Sequence, residues 1–225
     1  LPTRLDGVVA QTRQRQADRS RETRRKLMEA TVECLVERGW TGTTTVLVAE
    51  RAGVSRGAQL HHFRTRGELV AAAVEYVGAR SAADMLDRAA LLPATGNRTA
   101  AVVEFIIDLY VNPLFTAALE LWVAARTDPE LTDLVISLEA RLGRECHRLA
   151  VGLLAVDESL PGVREAVQAT LDLARGLALA NLLTDDSRRR ARIVRQWARM
   201  LDQALLNQAV LNQALGETET RNDGD

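Results

Sequence analysis

The stretch "TTVLVAERAGVSRGAQLHHF" (44–63) decides how this chain is read. Thr44 is placed to cap a short helix over 45–52, which Gly53 ends. Three residues, Gly53-Val54-Ser55, separate it from a second short helix over 56–63. Neither segment is long enough to be a stable helix alone, so both must be held by packing. Val54 and Phe63 are the anchors, set against Val48, Ala49 and Leu69. Gly57 and Ala58 carry almost no side chain, so the start of the second helix can approach another surface closely. Two short helices joined by a glycine-containing three-residue turn form a helix-turn-helix.

Outward from this motif the chain reads as helix nearly throughout, and the fold class is all-α. Ser20 caps a helix over 21–38 whose inner stripe is Leu27, Thr31, Cys34 and Leu35, with Gly39 just past its end. On the other side, Thr65 and Glu68 have the spacing of a capping box that opens a helix over 66–91. After the loop "LLPATGN" (91–97), further helices are expected over 98–111, 114–126, 129–154, 162–183 and 187–215. The expected organisation is a flexible basic arm (1–19), a three-helix DNA-binding domain (20–66), a larger helical domain (67–215) and a disordered acidic tail (216–225).

Net charge is −1, but residues 1–66 hold 13 basic and 7 acidic residues, whereas the remainder holds 16 and 23. A basic segment on an acidic body points to a polyanion partner for that segment alone. Cys34 and Cys146 are too few and too far apart for a disulfide framework and read as reduced thiols. With no membrane-length apolar run and no signal-like start in the sequence given, a cytoplasmic protein is expected.

His61 and His62 are adjacent, so they point about 100° apart on a helix and cannot grip one ion as an i, i+4 pair does. No acid, cysteine or nucleophile nearby completes a metal or catalytic site, and no metal or other cofactor is expected. The alternative is DNA. In a helix-turn-helix the second helix enters the major groove with its N-terminal residues at the base edges. Arg56 can donate two hydrogen bonds to guanine, Thr44 and Thr45 can meet a phosphate, and His61 can reach another while His62 packs inward. The arm can lie along the minor groove or the backbone.

The run over 24–74 resembles the DNA-binding segment of the TetR family of bacterial transcriptional regulators. The likeness lies in Gly39-Trp40, the threonine run, Ala-Gly-Val-Ser (52–55), His-His-Phe (61–63) and Thr-x-x-Glu-Leu (65–69). It implies base contacts at Arg56, Gly57 and Ala58 and phosphate contacts at Thr44, Thr45, His61 and Arg66. Gln59 and Leu60 replace the Leu-Tyr of many members. Gln59 reads an adenine if it faces outward, and Leu60 offers apolar contact to a thymine methyl. Val46 and Leu47 also depart from the family pattern, so the operator sequence does not follow from the resemblance.

The resemblance further implies a homodimer built on the last two helices and an effector cavity in the larger domain. Val167, Leu171, Ala174, Ala178 and Asn181 form one candidate dimer stripe; Ile193, Trp197, Leu201 and Leu205 form the other. The same stripes are compatible with packing inside one subunit. Phe105, Leu109, Tyr110, Phe115, Leu119 and Trp122 are candidate pocket residues, with Arg126 and Arg175 as polar handles, and they suit a largely apolar effector; Glu120 is a further handle. The same aromatics also serve as plain core. The leading reading is a repressor that binds a palindromic operator as a dimer and is released by a small molecule. Two rivals are an architectural DNA-binding protein without an effector and an enzyme with a DNA-binding head. The enzyme lacks support, since no metal-ligand spacing, nucleophile elbow or phosphate loop is present.

Overall fold

The computed structural model describes residues 4–94 and 96–222. Nine helices run along these residues, with no strand among them: α1 (Arg4–Gly42), α2 (Thr45–Arg51), α3 (Arg56–His62), α4 (Arg66–Ala89), α5 (Arg98–Asp108), α6 (Pro113–Ala125), α7 (Pro129–Leu154), α8 (Val163–Ala180) and α9 (Ser187–Asn222). They form two compact units. One comprises Leu1–Ala82 with Pro113–Leu138, the other Ala83–Asn112 with Glu139–Asp225.

In the first unit the predicted stripe of α1 is buried, with Leu27, Thr31, Cys34 and Leu35 all enclosed. Val48 and Ala49 of α2 and Phe63 at the end of α3 are buried with it, as are Leu69, Val70 and Val74 of α4. Arg51 ties α2 to α1 through Glu37 at 2.5 Å. α6 lies along α1 and buries Phe115, Ala117, Leu121 and Ala125. A boundary at residue 66 therefore does not describe this unit, because α6 and the first turns of α7 belong with the helix-turn-helix.

Two helices are longer than the sequence predicts. α1 continues back to Arg4, through the residues read as a flexible arm. Ser20 does not stop it, and short-range ion pairs support it there: Asp18 accepts from Arg21, and Glu22 sits 2.5 Å from Arg25. α1 also crosses Gly39, where φ 63° and ψ −174° interrupt the helical backbone before its last residues. α9 likewise runs on through 216–222 of the expected tail.

The second unit is built on α5, α8 and α9. Val102, Val103, Ile106 and Ile107 of α5 meet Val167, Leu171, Ala174 and Leu177 of α8 and Val194, Ala198 and Leu201 of α9. This corrects the expected dimer stripes. Val167, Leu171, Ala174, Ala178 and Leu201 are 0–5% exposed within a single chain. Ile193, Trp197 and Leu205 pack partly buried against the same cluster, and Asn181, also half-buried, is the C-cap of α8. Trp197 donates its indole N–H to Thr170 Oγ1 at 3.0 Å. An apolar stripe records only that something covers it, and here α5 does.

Candidate nucleic-acid interface

The two short helices are fixed at their N-termini by side-chain caps. Thr44 Oγ1 accepts from Leu47 N at 3.2 Å and Ser55 Oγ from Ala58 N at 3.2 Å. Each cap satisfies an amide that a seven-residue helix would otherwise leave open, a contribution of about 1 kcal/mol. Ser55 precedes the motif's arginine at the N-cap position, so its role was readable from the sequence. Behind α3, the capping box closes as expected: Glu68 N donates to Thr65 Oγ1 at 3.1 Å, and the Glu68 carboxylate accepts from Thr65 N at 3.4 Å and also from Arg64 N at 2.9 Å.

What α3 presents outward is a short strip. Arg56 and Gly57 are exposed and Ala58 is half-exposed. A methyl group added at Gly57 would meet nothing within 4 Å. Leu60 is 47% exposed and His61 is exposed. Thr44 is exposed and Thr45 half-buried at the start of α2. One unit thus carries Arg56, Gly57, Ala58, Leu60, His61, Thr44 and Thr45 on α2, α3 and the residue before α2.

One expected contact is turned inward, and a second is engaged within the protein. Gln59 is fully buried, so the condition for reading an adenine is not met. Its Nε2 donates to Phe63 O at 2.9 Å, closing the end of α3, while its Oε1 is buried without a hydrogen-bond partner. Arg66 stacks its guanidinium over the Trp40 ring, 3.6 Å from the centroid. It also donates to Trp40 O at 3.3 Å. Its half-buried side chain ties the end of α1 to the start of α4. His62 is half-buried, its ring against those of His61 and Phe63. Burial, His61 and Arg24 together lower its pKa below the ordinary 6.5.

The expected pocket residues divide between the two units. Phe115 and Trp122 form a T-shaped pair, 6.1 Å between centroids, in the unit that holds the helix-turn-helix; Leu119 and Arg126 belong to the same unit. Phe105, Leu109, Tyr110 and Arg175 belong to the other. There Arg175 lies 5.7 Å from the Tyr110 ring and donates to Asp172 at 2.6 Å, which supplies the partner its position demands. Burial raises the Tyr110 phenol and the Cys146 thiol, which are hydrogen-bonded to each other. His147 is bonded through Nε2 to Glu158.

These elements define a class: a helical protein with a helix-turn-helix whose second helix exposes an arginine beside two small residues. The model of the bacterial regulatory proteins of the tetR family matches residues 27–73. The HTH-type transcriptional regulator CymR of Pseudomonas putida is 30% identical over 182 residues, spanning 80% of this chain and 90% of CymR. An HTH-type transcriptional regulator of Mycobacterium tuberculosis is 30% identical over 146 residues, 65% of this chain and 74% of its own. The chain belongs to the tetR family of bacterial regulatory proteins, and it is a transcriptional regulator. Among solved structures, a transcriptional regulator from Pseudomonas aeruginosa PAO1 aligns with a TM-score of 0.62 at 25% identity, covering 79% of this chain and 89% of its own. FadR of Bacillus subtilis, solved with stearoyl-CoA, shares the fold with a TM-score of 0.56 at 16% identity, covering 78% and 96%.

Proposed function

We propose that this regulator is a cytoplasmic, ligand-released repressor that binds a palindromic operator as a homodimer, and that it is not an enzyme. The observation that carries the reading is the start of α3, where exposed Arg56 stands beside the open space at Gly57 on a helix capped by Ser55. Arg56 donates to guanine O6 and N7 in the major groove. Ala58 allows close approach, and Leu60 meets a thymine methyl. Thr44, Thr45 and His61 bind phosphates and fix the register. Two such heads on a two-fold axis meet major grooves one helical turn apart, which makes the operator palindromic.

Exposed apolar residues support the dimer. Leu179 of α8 is 53%, Leu183 between α8 and α9 95%, and Met200 of α9 54% exposed, outside the stripes that α5 covers. The effector binds the larger domain, with Tyr110, Arg175 or the Phe115–Trp122 pair among its contacts. The relatives' folds hold ligands of unlike size, since EbrR was solved with imidazole and FadR with stearoyl-CoA. Release requires the effector to prefer the dimer whose heads no longer fit the groove spacing.

Selection of bound duplexes from a random pool at near-physiological salt tests the reading. A palindrome with one fixed half-site spacing is expected. Enrichment without a motif would mean an architectural protein that binds the backbone alone.

A further inference from the structure

We propose that residues 11–23 of α1 form a basic helical rail that lies along the phosphates of duplex flanking each half-site. The inference rests on the operator reading above. Every residue over 11–20 is exposed although the backbone there is helical, so no protein packing accounts for this part of the helix. The segment "QTRQRQADRS" has no apolar stripe, which rules out both a core helix and one that lies in a membrane surface. Asp18 engages Arg21, and Glu22 engages Arg25. Arg13, Arg15 and Arg19 have no acidic partner among the described residues. Exposed, uncompensated arginines on a helix polar all round suit a polyanion.

The position of the rail selects which polyanion. The Arg24 guanidinium lies over the Phe63 ring, 4.6 Å from its centroid, so α1 leaves the unit beside the C-terminal end of α3. A duplex that receives α3 in its major groove continues past that end. At about 1.5 Å per residue, Gln11 to Arg24 spans roughly 20 Å. That is the length of about six base pairs at 3.4 Å each.

The test compares three proteins on two duplexes bearing the selected operator, one blunt at the half-sites and one with twelve-base-pair flanks. The proteins are the full chain, a deletion of residues 1–19, and the triple variant Arg13→Ala, Arg15→Ala, Arg19→Ala. Alanine keeps helix propensity, and far-UV circular dichroism confirms that helix content is retained. The full chain is expected to bind the flanked duplex at least tenfold more tightly, whereas both variants bind the two duplexes equally. The slope of log affinity against log salt on the flanked duplex should fall by about 2–3 per arm in the triple variant, near 0.9 for each lost phosphate contact. Full-chain binding that is tight but indifferent to the flanks overturns the rail and leaves the operator reading intact. So does a slope unchanged by the triple variant. Failure of the full chain to bind either duplex above random DNA overturns both.

Discussion

At the scale of single residues, exposure separates the side chains proposed to read DNA from those that hold α3 still. Arg56→Ala should cost about 1–3 kcal/mol on the selected operator and little on random DNA, measured by fluorescence anisotropy. Gln59→Ala is expected to behave oppositely. It removes a buried side chain and the bond to Phe63 O, so thermal and urea unfolding should show a loss of about 1–3 kcal/mol, while duplex selection returns the same motif. His62 adds a pH dependence. Because its folded pKa lies below the ordinary 6.5, the unfolded chain takes the proton first, and its stabilising contribution is complete above 6.5 and lost as pH falls through the folded value. Melting between pH 7.5 and 5.5 should therefore fall less in His62→Phe than in the parent. Spacing placed these residues on the right helix, but one helix of seven residues presents both faces within four positions. Local pattern did not show that Gln59 turns inward to close its own helix at Phe63 O, nor that Arg66 stacks on Trp40 of α1.

At the scale of elements, the bend at Gly39 lies close against Glu120 of α6. A Cβ there would lie 2.4 Å from Glu120 Oε2, and the backbone sits at φ 63°. Thr43 Oγ1 donates to Gly39 O at 2.7 Å, directly before the cap at Thr44. Gly39→Ala should destabilise by roughly 1–3 kcal/mol in urea unfolding. Adding Glu120→Ala should recover only the steric part, since positive φ remains unfavourable for alanine. The sequence showed a glycine after an amphipathic run and therefore a helix end. It held no sign that the following residues resume helix, and the side chain that leaves no room for a Cβ there is eighty-one positions away in α6. Helix starts were more legible: Thr44, Thr65, Asp128 and the helices behind them follow from local capping chemistry.

At the scale of the whole molecule, apolar periodicity identified the helices but not their partners. Leu201 and Val167 share the spacing expected of an interface and are core, whereas Leu183 lies in a segment with no clear stripe and is 95% exposed. Leu183→Asp combined with Leu179→Asp should leave the fold intact, shift sedimentation toward the monomer and weaken operator binding. Leu201→Asp should instead unfold the protein, because it places a charge among α5, α8 and α9. A dimer that persists through the exposed-face variant would place the two-fold contact elsewhere. The charge division along the chain was legible from composition alone, since it needs no knowledge of what packs on what.

The empty space at Gly57 bears on how such a regulator changes allegiance. Side chains larger than hydrogen fit there without displacing a neighbour, and in a helix most of them favour folding over glycine by up to about 1 kcal/mol. On the proposed operator reading the position faces the bases, so Gly57→Asn or Gly57→Ser should alter the selected motif at one symmetric pair of positions while stability holds or rises. A single substitution should thus redirect the protein to a new set of promoters without an unstable intermediate. A duplicated copy begins its divergence from that residue at no thermodynamic disadvantage.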